Sequence, residues 1–365
     1  MSLLHQIALT KITGVGPTVA RHLLSEFGGA EGVFAAPRKA LRAIPYVRES
    51  VADAIAAETP LAEAEAELEF VEKHGIRTLF FTEKNYPKRL RNCADAPMLL
   101  YYKGHADLDN TRVVSIVGTR NATAYGLAMC QELVKGLQPH SPLVVSGLAR
   151  GIDSYAHRAA LAHDIPTVGV LGHGLDRIYP AANRNMAARM VEQGGLLTEF
   201  PSGTIPERTN FPMRNRIIAG LADVTVVVEA AFKGGALITA EIANSYNRDV
   251  CAFPGNTQQE FSAGCNYLIK THRAHLIQGV DDLAYLMDWT VDEAKSDVGK
   301  QLALPVSLDT DEKRVHDIVR QAGPIAIDEL MIQLHWPQSK LAMTLLQLEI
   351  KGIVVALPGK VYKAV

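Results

Sequence analysis

Twice in succession this chain runs from a short, apolar, β-branched stretch through a glycine-bearing loop into a helical pattern. That repeated unit limits its fold more than any other feature. Val113–Val117 passes into Gly118-Thr119-Arg120, and Leu143–Val145 passes into Ser146-Gly147-Leu148-Ala149-Arg150-Gly151-Ile152-Asp153. Strands that are apolar on both sides need cover on both faces, which a parallel sheet flanked by helices supplies. Glycine lets the backbone adopt positive φ and approach a neighbour closely, and the next helix start presents unpaired amides to an anion. An arginine inside each loop adds a planar fork of donors that matches phosphate. Two such loops at the C-terminal ends of neighbouring parallel strands form a phosphate-binding crevice.

The chain has 365 residues, a length that implies more than one domain. Residues 1–75 read as an all-helical domain. Leu4, Ile7 and Ala8 begin an apolar stripe, Gly14-Val15-Gly16-Pro17 makes a turn, and Val19, Ala20, Leu23, Leu24 and Phe27 resume the stripe at helical spacing. Across residues 76–290, strand patterns at 78–81, 113–117, 143–146, 167–171, 196–200, 224–229 and 250–253 alternate with helical ones. The helical patterns fall near 123–138, 152–163, 181–193, 213–222 and 235–247, so a doubly wound parallel sheet is expected. Residues 291–308 lack apolar periodicity and read as a linker. Residues 309–365 read as three helices, near 309–322, 326–334 and 338–351, then a hairpin about Pro358-Gly359-Lys360, the outline of a winged helix.

The net charge is −2, but it is unevenly spread. Residues 112–220 hold eleven bases, ten of them arginine, against seven acids, whereas residues 221–295 hold five bases against ten acids. That asymmetry suggests one face suited to phosphate and a different surface for other contacts. Cys93, Cys130, Cys251 and Cys265 show no CxxC spacing and read as reduced thiols, not as a disulfide framework or a metal set. The N-terminal residues contain no secretory apolar segment and no apolar run approaches the length of a membrane span. A soluble, cytoplasmic protein without a membrane partner is therefore expected.

Each motif has a plainer reading beside the functional one. Gly118-Thr119-Arg120 alone is equally an ordinary strand-to-helix turn with a solvated arginine. The second loop, with Gly147 and Gly151 bracketing Arg150, favours phosphate. Asp153 and His157, four residues apart on one helix, have the spacing of a metal pair. No third ligand is in reach by sequence, and an acid at a helix start is commonly a cap. Phe211-Pro212-Met213-Arg214-Asn215-Arg216 sets two arginines in what reads as the first turn of a helix, where cations are unfavourable. A bound phosphate or a buried carboxylate, Glu199 or Glu229, would neutralise them. Lys233-Gly234-Gly235 again joins strand to helix through glycines whose amides suit a further phosphate. Tyr179, ahead of Asn183 and Arg184, is a ring beside basic loops, placed either to stack on bases or to pack internally. Gly14-Val15-Gly16 resembles a helix-hairpin-helix turn, which presents amides to DNA phosphates, and is equally an ordinary helical hairpin. No catalytic constellation, metal set or cofactor motif emerges. Ser146 has no base in its loop, the histidines are scattered, and the cysteines lack a flanking His or acid pattern.

Taken in order, several motifs resemble the DNA-processing protein A family, DprA or Smf, over residues 76–288. They are Val117–Arg120 with Tyr125-Gly126, Ser146–Asp153 with Ala156-His157, Tyr179-Pro180 with Asn183, Phe211–Leu221, Leu237-Ile238-Thr239-Ala240 and Pro254-Gly255. The resemblance implies an extended Rossmann-like core, flanked by an N-terminal sterile-alpha-motif-like or helix-hairpin-helix domain and a C-terminal winged helix. It implies a non-enzymatic, sequence-independent single-stranded DNA-binding protein that protects incoming strands and helps load the RecA recombinase in natural transformation. On that basis Arg120 is the principal phosphate contact. Gly118, Thr119, Gly147, Arg150, Gly151, Arg184, Arg214, Arg216, Lys233, Gly234 and Gly235 complete the phosphate-binding set, and Tyr179 is the candidate for base stacking. The resemblance further implies a homodimer through Gly264-Cys265-Asn266-Tyr267-Leu268-Ile269, with Tyr267, Leu268 and Ile269 at the interface. It also implies RecA contact through the helix that follows Leu237-Ile238-Thr239-Ala240. Two departures stand out: Gly234 where the family commonly has serine, and Arg273-Ala274 in place of the usual Gly-Ala.

The competing reading is a nucleotide-acting enzyme. Lysine-decarboxylase-like phosphoribohydrolases share a Rossmann-like crevice but carry a Pro-Gly-Gly-x-Gly-Thr loop followed by a glutamate. Here the corresponding loop is Lys233-Gly234-Gly235-Ala236-Leu237-Ile238-Thr239-Ala240, with Glu241 one residue beyond.

Overall fold

The structure is a computed structural model that describes residues 2–57, 59–290 and 308–364, divided into two compact units, Met1–Trp289 and Thr290–Val365. The expected linker lies, apart from Leu308, outside the described residues.

Six helices open the first unit: α1 (Leu3–Thr10), α2 (Pro17–Phe27), α3 (Ala30–Ala35), α4 (Arg38–Arg42), α5 (Glu49–Ala56) and α6 (Thr59–Lys73). Proline begins α2, at a position whose N–H would have no helical partner, and Gly28 ends it in the left-handed conformation. Ile7, Leu9, Leu23, Leu41 and Ile55 are fully buried and belong to the same apolar cluster as Phe80 and Tyr102 of the strands that follow.

The strands are β1 (Arg77–Phe80), β2 (Leu99–Gly104), β3 (Val113–Val117), β4 (Leu143–Ser146), β5 (Thr167–Val170), β6 (Gly195–Thr198), β7 (Val224–Val227), β8 (Asp249–Ala252) and β9 (His275–Leu276). Between and after them lie α7 (Lys88–Arg91), α8 (Ala124–Leu137), α9 (Ile152–Ala162), α10 (Arg184–Gln193), α11 (Asn210–Leu221), α12 (Gly235–Ser245), α13 (Ala263–Lys270) and α14 (Val280–Leu286). They build one sheet in the order β1-β2-β6-β5-β4-β3-β7-β8-β9. β3 through β9 are parallel, while β2 pairs antiparallel with both β1 and β6. The sheet is therefore an extended, doubly wound Rossmann-like one with an antiparallel edge, and the strand pattern missed β2 and the two-residue β9. β2 follows a long irregular stretch broken only by the single turn of α7, so no alternation announces it.

Alternation along each strand divides the core. Val114 and Ile116 of β3 pack with Cys130 and Leu133 of α8 and Ile152 and Ala156 of α9. Val113 and Val117 join the cluster that holds Ile217 and Leu221 of α11 and Ala240 of α12. Successive side chains of a strand point to opposite faces, so α8–α9 and α11–α12 cover opposite faces of the sheet. The polar Ser115 meets Thr225 of β7 at 2.8 Å, which satisfies two hydroxyls inside this core.

The second unit comprises α15 (Thr310–Ala322), β10 (Ile325–Ala326), α16 (Ile327–Leu334), α17 (Gln338–Ile350), β11 (Val354–Leu357) and β12 (Val361–Ala364), with antiparallel sheet order β10-β12-β11. It is a winged helix. Asp309 and Glu312 form a reciprocal capping box at the start of α15, and Lys351 reaches the buried Glu312 carboxylate at 2.6 Å.

Candidate nucleic-acid interface

β3 lies between β4 and β7, so the chain leaves all three strands at one edge of the sheet, where the strand order reverses. Such a reversal leaves a crevice outside the strand ends. The loops that line it interlock through their backbones. Ile152 N donates to Thr119 O (3.2 Å), and Thr119 N donates to Glu229 O (2.7 Å). Gly151 has φ +77°, and a Cβ there would sit 2.2 Å from Thr119 O, so the approach of the two loops requires glycine. A Cβ at Gly118 would meet Ile152 at 2.5 Å. Glu229, which is buried, accepts from Thr123 N (2.9 Å) and Thr123 Oγ1 (2.6 Å) and fills the space beside Gly126. Gly118, Thr119, Gly147 and Gly151 thus shape the crevice wall, and the Thr119 amide is used inside the protein.

Arg214 and Arg216 are placed differently from the expectation. α11 starts at Asn210, so both fall in its second turn, away from the unfavourable N-terminal end. Arg214 is buried beneath the crevice, where it donates to Gly147 O and, at 2.5 Å, to Val170 O. Burial pushes its pKa down to about 10, and Asp153 opposes that shift. Burial in turn raises the Asp153 carboxyl above its usual range, with Arg214 the chief counterweight. Arg216 pairs with Glu199 and donates to Asp95 O. Both arginines are therefore internal struts and not phosphate ligands, and Glu199 is the acidic partner while Glu229 is not.

Arg120, by contrast, is exposed, with its guanidinium 5.6 Å from the centre of the Phe211 ring. The Tyr179 ring lies 6.1 Å from the same ring and is 51% exposed. The three form a cation–aromatic cluster at the crevice mouth. Phe211 escaped the sequence reading. Its signal was the i, i+3 spacing to Arg214, legible only once the helix is known to begin at Asn210. Arg208, exposed just before α11, escaped it too.

Arg150 and Arg184 are exposed at the starts of α9 and α10. Asn183 joins those two helix starts by donating to Leu148 O (2.8 Å) and Ser154 Oγ (2.9 Å). Lys233 and Gly234 are exposed, and Gly235 O accepts from Asn215 Nδ2 at 3.3 Å, which sets this loop beside α11. A side chain at Gly234 would meet open space in an extended backbone, so nothing local demands glycine there.

His157 is fully buried and bonded inside the core. Thr167 Oγ1 donates to Val144 O (3.0 Å), so it accepts from His157 Nδ1 at 2.7 Å. Burial lowers the imidazole pKa to about 3. Among the described residues no three or more His, Cys, Asp or Glu side chains group as metal ligands. Glu241, the acid that the nucleotide-enzyme reading would use, pairs with Arg273 on the surface at 2.9 Å.

The Gly264–Ile269 motif is largely explained by packing within the chain. A Cβ at Gly264 would sit 2.6 Å from Ala231 O, and Asn266 exchanges hydrogen bonds with Gly255 N (3.1 Å) and Gly255 O (2.9 Å). Leu268 is fully buried in the chain's own core, which corrects its assignment to an interface. Tyr267 and Ile269 remain half-buried, and Tyr267 meets the exposed Phe232 edge-on at 5.0 Å. Among the described residues no helix is long and apolar enough to cross a membrane.

Comparison with known proteins follows the same outline. The profile of the family described as DNA recombination-mediator protein A matches residues 77–288, and that of the DprA winged helix domain matches residues 300–360. Protein Smf of Synechocystis is 32% identical over 98% of this chain and 97% of its own length. The DNA processing protein DprA of Streptococcus pneumoniae is 41% identical over 54% of this chain and 70% of its own. The X-ray structure of DprA from that organism superposes with a TM-score of 0.65 at 31% identity, covering 77% of this chain and 97% of that one. A structure describing the single-stranded DNA binding mode of DprA from Helicobacter pylori gives a TM-score of 0.54 at 28% identity, over 59% and 97% of the two chains. With its crevice at the strand reversal, its interlocked glycine loops and its winged helix, the chain belongs to the DNA recombination-mediator protein A (DprA/Smf) family.

Proposed function

We propose that this chain is a non-enzymatic, cytoplasmic protein that binds single-stranded DNA without regard to sequence. In this reading it protects incoming strands and helps load RecA recombinase in transformation. The observation that carries the reading is the cluster at the crevice mouth in which exposed Arg120 and Tyr179 flank the half-buried Phe211 ring. A cation beside open aromatic faces suits the alternating phosphates and bases of a single strand, whereas a duplex hides its bases from stacking. Arg150, Arg184, Arg208 and Lys233 supply further charge around the rim. The single-stranded DNA bound by the Helicobacter pylori relative supports the same ligand class.

Titrating salt against binding to oligo-dT and to duplex tests this. Single-strand binding should be the tighter and should weaken steeply with salt, and an affinity indifferent to salt would refute it. RecA loading is tested by the rate of RecA filament growth on strands precoated with a single-strand-binding protein, which should rise when this chain is added. A homodimer is proposed through Phe232, Tyr267 and Ile269, where rings are left partly open to solvent.

A further inference from the structure

The helical layer over the crevice side of the sheet carries charge that the crevice does not use. α9 and α10 pack side by side through Leu161 on one and Met186, Ala187 and Met190 on the other. Arg158 lies one turn before Leu161, and Arg189 lies one turn after Met186, so both arginines border the seam between the helices. Both are exposed, as are Arg150 and Arg184 at the crevice ends of the same helices. Among the described residues none of these four arginines pairs with a carboxylate.

Two of them occupy costly positions. Arg150 lies just before Gly151, the N-cap of α9, and Arg184 begins α10, whose first turn holds no acid, so each cation faces the positive end of a helix. Asp153, in the first turn of α9, is buried and turned to Arg214, so it offers Arg150 little relief. The exposed acids of this layer, Glu132, Asp164 and Glu192, lie toward the far ends of the helices, so the basic strip starts at the crevice and stops after about two turns. Arg158 also rests over the ring of Tyr155 at 5.3 Å, and that ring is 39% exposed.

We infer that the seam between α9 and α10 is a second DNA track, continuous with the crevice, in which Arg158 and Arg189 hold backbone phosphates beyond those held at Arg120. The proposal rests on the single-strand reading of the crevice and adds the path by which the strand leaves it. From Ile152, where α9 begins, to Arg158 the helix rises about 9 Å, which spans roughly three phosphates at the stacked single-strand spacing of about 3.4 Å. Tyr155 offers a ring on which one of the accompanying bases can stack.

The test compares a six-nucleotide oligo-dT, as the probe of the crevice alone, with a twenty-nucleotide oligo-dT, on the full chain. The double variant Arg158→Glu/Arg189→Glu alters exposed side chains only, and an unchanged melting curve confirms its fold. Lys135→Glu/Lys313→Glu, on other exposed helix faces, controls for net charge. The parent should bind the longer oligonucleotide at least tenfold more tightly than the shorter. The double variant should keep its affinity for the short one within about twofold and lose most of that gain. The salt dependence for the long strand should flatten by about 1.4 in log–log slope, for two lost phosphate contacts. A double variant that keeps the parent's gain, a parent that shows no gain, or a control that loses it equally overturns the track while leaving the crevice reading intact. A parent that binds neither oligonucleotide overturns both.

Discussion

Replacing Arg214 by methionine tests whether this buried arginine is a strut or a ligand. The structure places its guanidinium out of solvent, with Gly147 O and Val170 O as acceptors and Asp153 as the compensating charge. Methionine fills a similar volume but donates nothing, so two buried carbonyls lose a partner and Asp153 loses its counter-charge. Removing one member of a buried charged pair costs about 3–5 kcal/mol. At about 2–4 °C per kcal/mol for a domain of moderate size, Tm should fall by about 6–20 °C. Differential scanning calorimetry on the parent, on Arg214→Met and on Arg214→Met/Asp153→Asn would measure this. The double variant should recover part of the loss, because no unpaired carboxylate remains. Arg120→Ala should leave Tm unchanged while weakening oligo-dT binding across all sequences. An Arg214→Met protein that melts like the parent yet no longer binds oligo-dT would show that Arg214 is a ligand after all, and the strut argument would fall.

Three further outcomes are expected. Phe211→Ala should reduce oligo-dT affinity by about 1–3 kcal/mol, the cost of a lost stacking platform, without changing the salt slope, since no charge is removed. A flattened slope would point to an electrostatic role. Gly151→Ala should destabilise the first unit by about 1–3 kcal/mol, because a side chain is strained at φ +77° and lies against Thr119 O; urea unfolding at the parent's midpoint would miss this loss only if the loops were not interlocked. His157 holds a pKa of about 3 in the fold against an ordinary 6.5, so the unfolded chain takes up its proton first. Stability is therefore full near neutrality and drains as pH falls from about 6.5 toward 3, by about 2 kcal/mol between pH 7 and pH 5. His157→Gln should flatten that part of the curve by a similar amount, and parallel pH profiles for parent and variant would contradict the buried neutral imidazole.

Local chemistry along the chain was enough for much of this protein. Continuous apolar runs such as Val113–Val117 demand cover on both faces, so the parallel strands other than the short β9 and most of their helices were legible, as were the three helices and hairpin of the winged helix. Glycines bracketing arginines marked the crevice loops for the same reason, since close backbone approach is a property of the residue itself. What a side chain faces is set by neighbours remote in sequence, and there the sequence left matters open. Arg120 and Arg214 look alike as arginines near glycines. One ends exposed on a loop, and the other lies beneath it because α11 begins three residues earlier than its pattern suggests. Leu268 reads as an interface residue until the packing of α13 turns it into the core, leaving Tyr267 beside Phe232. Phe211 becomes a platform only because the helix that carries it is set beside the crevice, next to a loop ninety residues earlier in the chain. The seam between α9 and α10 depends on tertiary structure in the same way. Arg158 and Arg189 come to border one seam only when two helices separated in sequence by a whole strand are laid side by side on one face of the sheet.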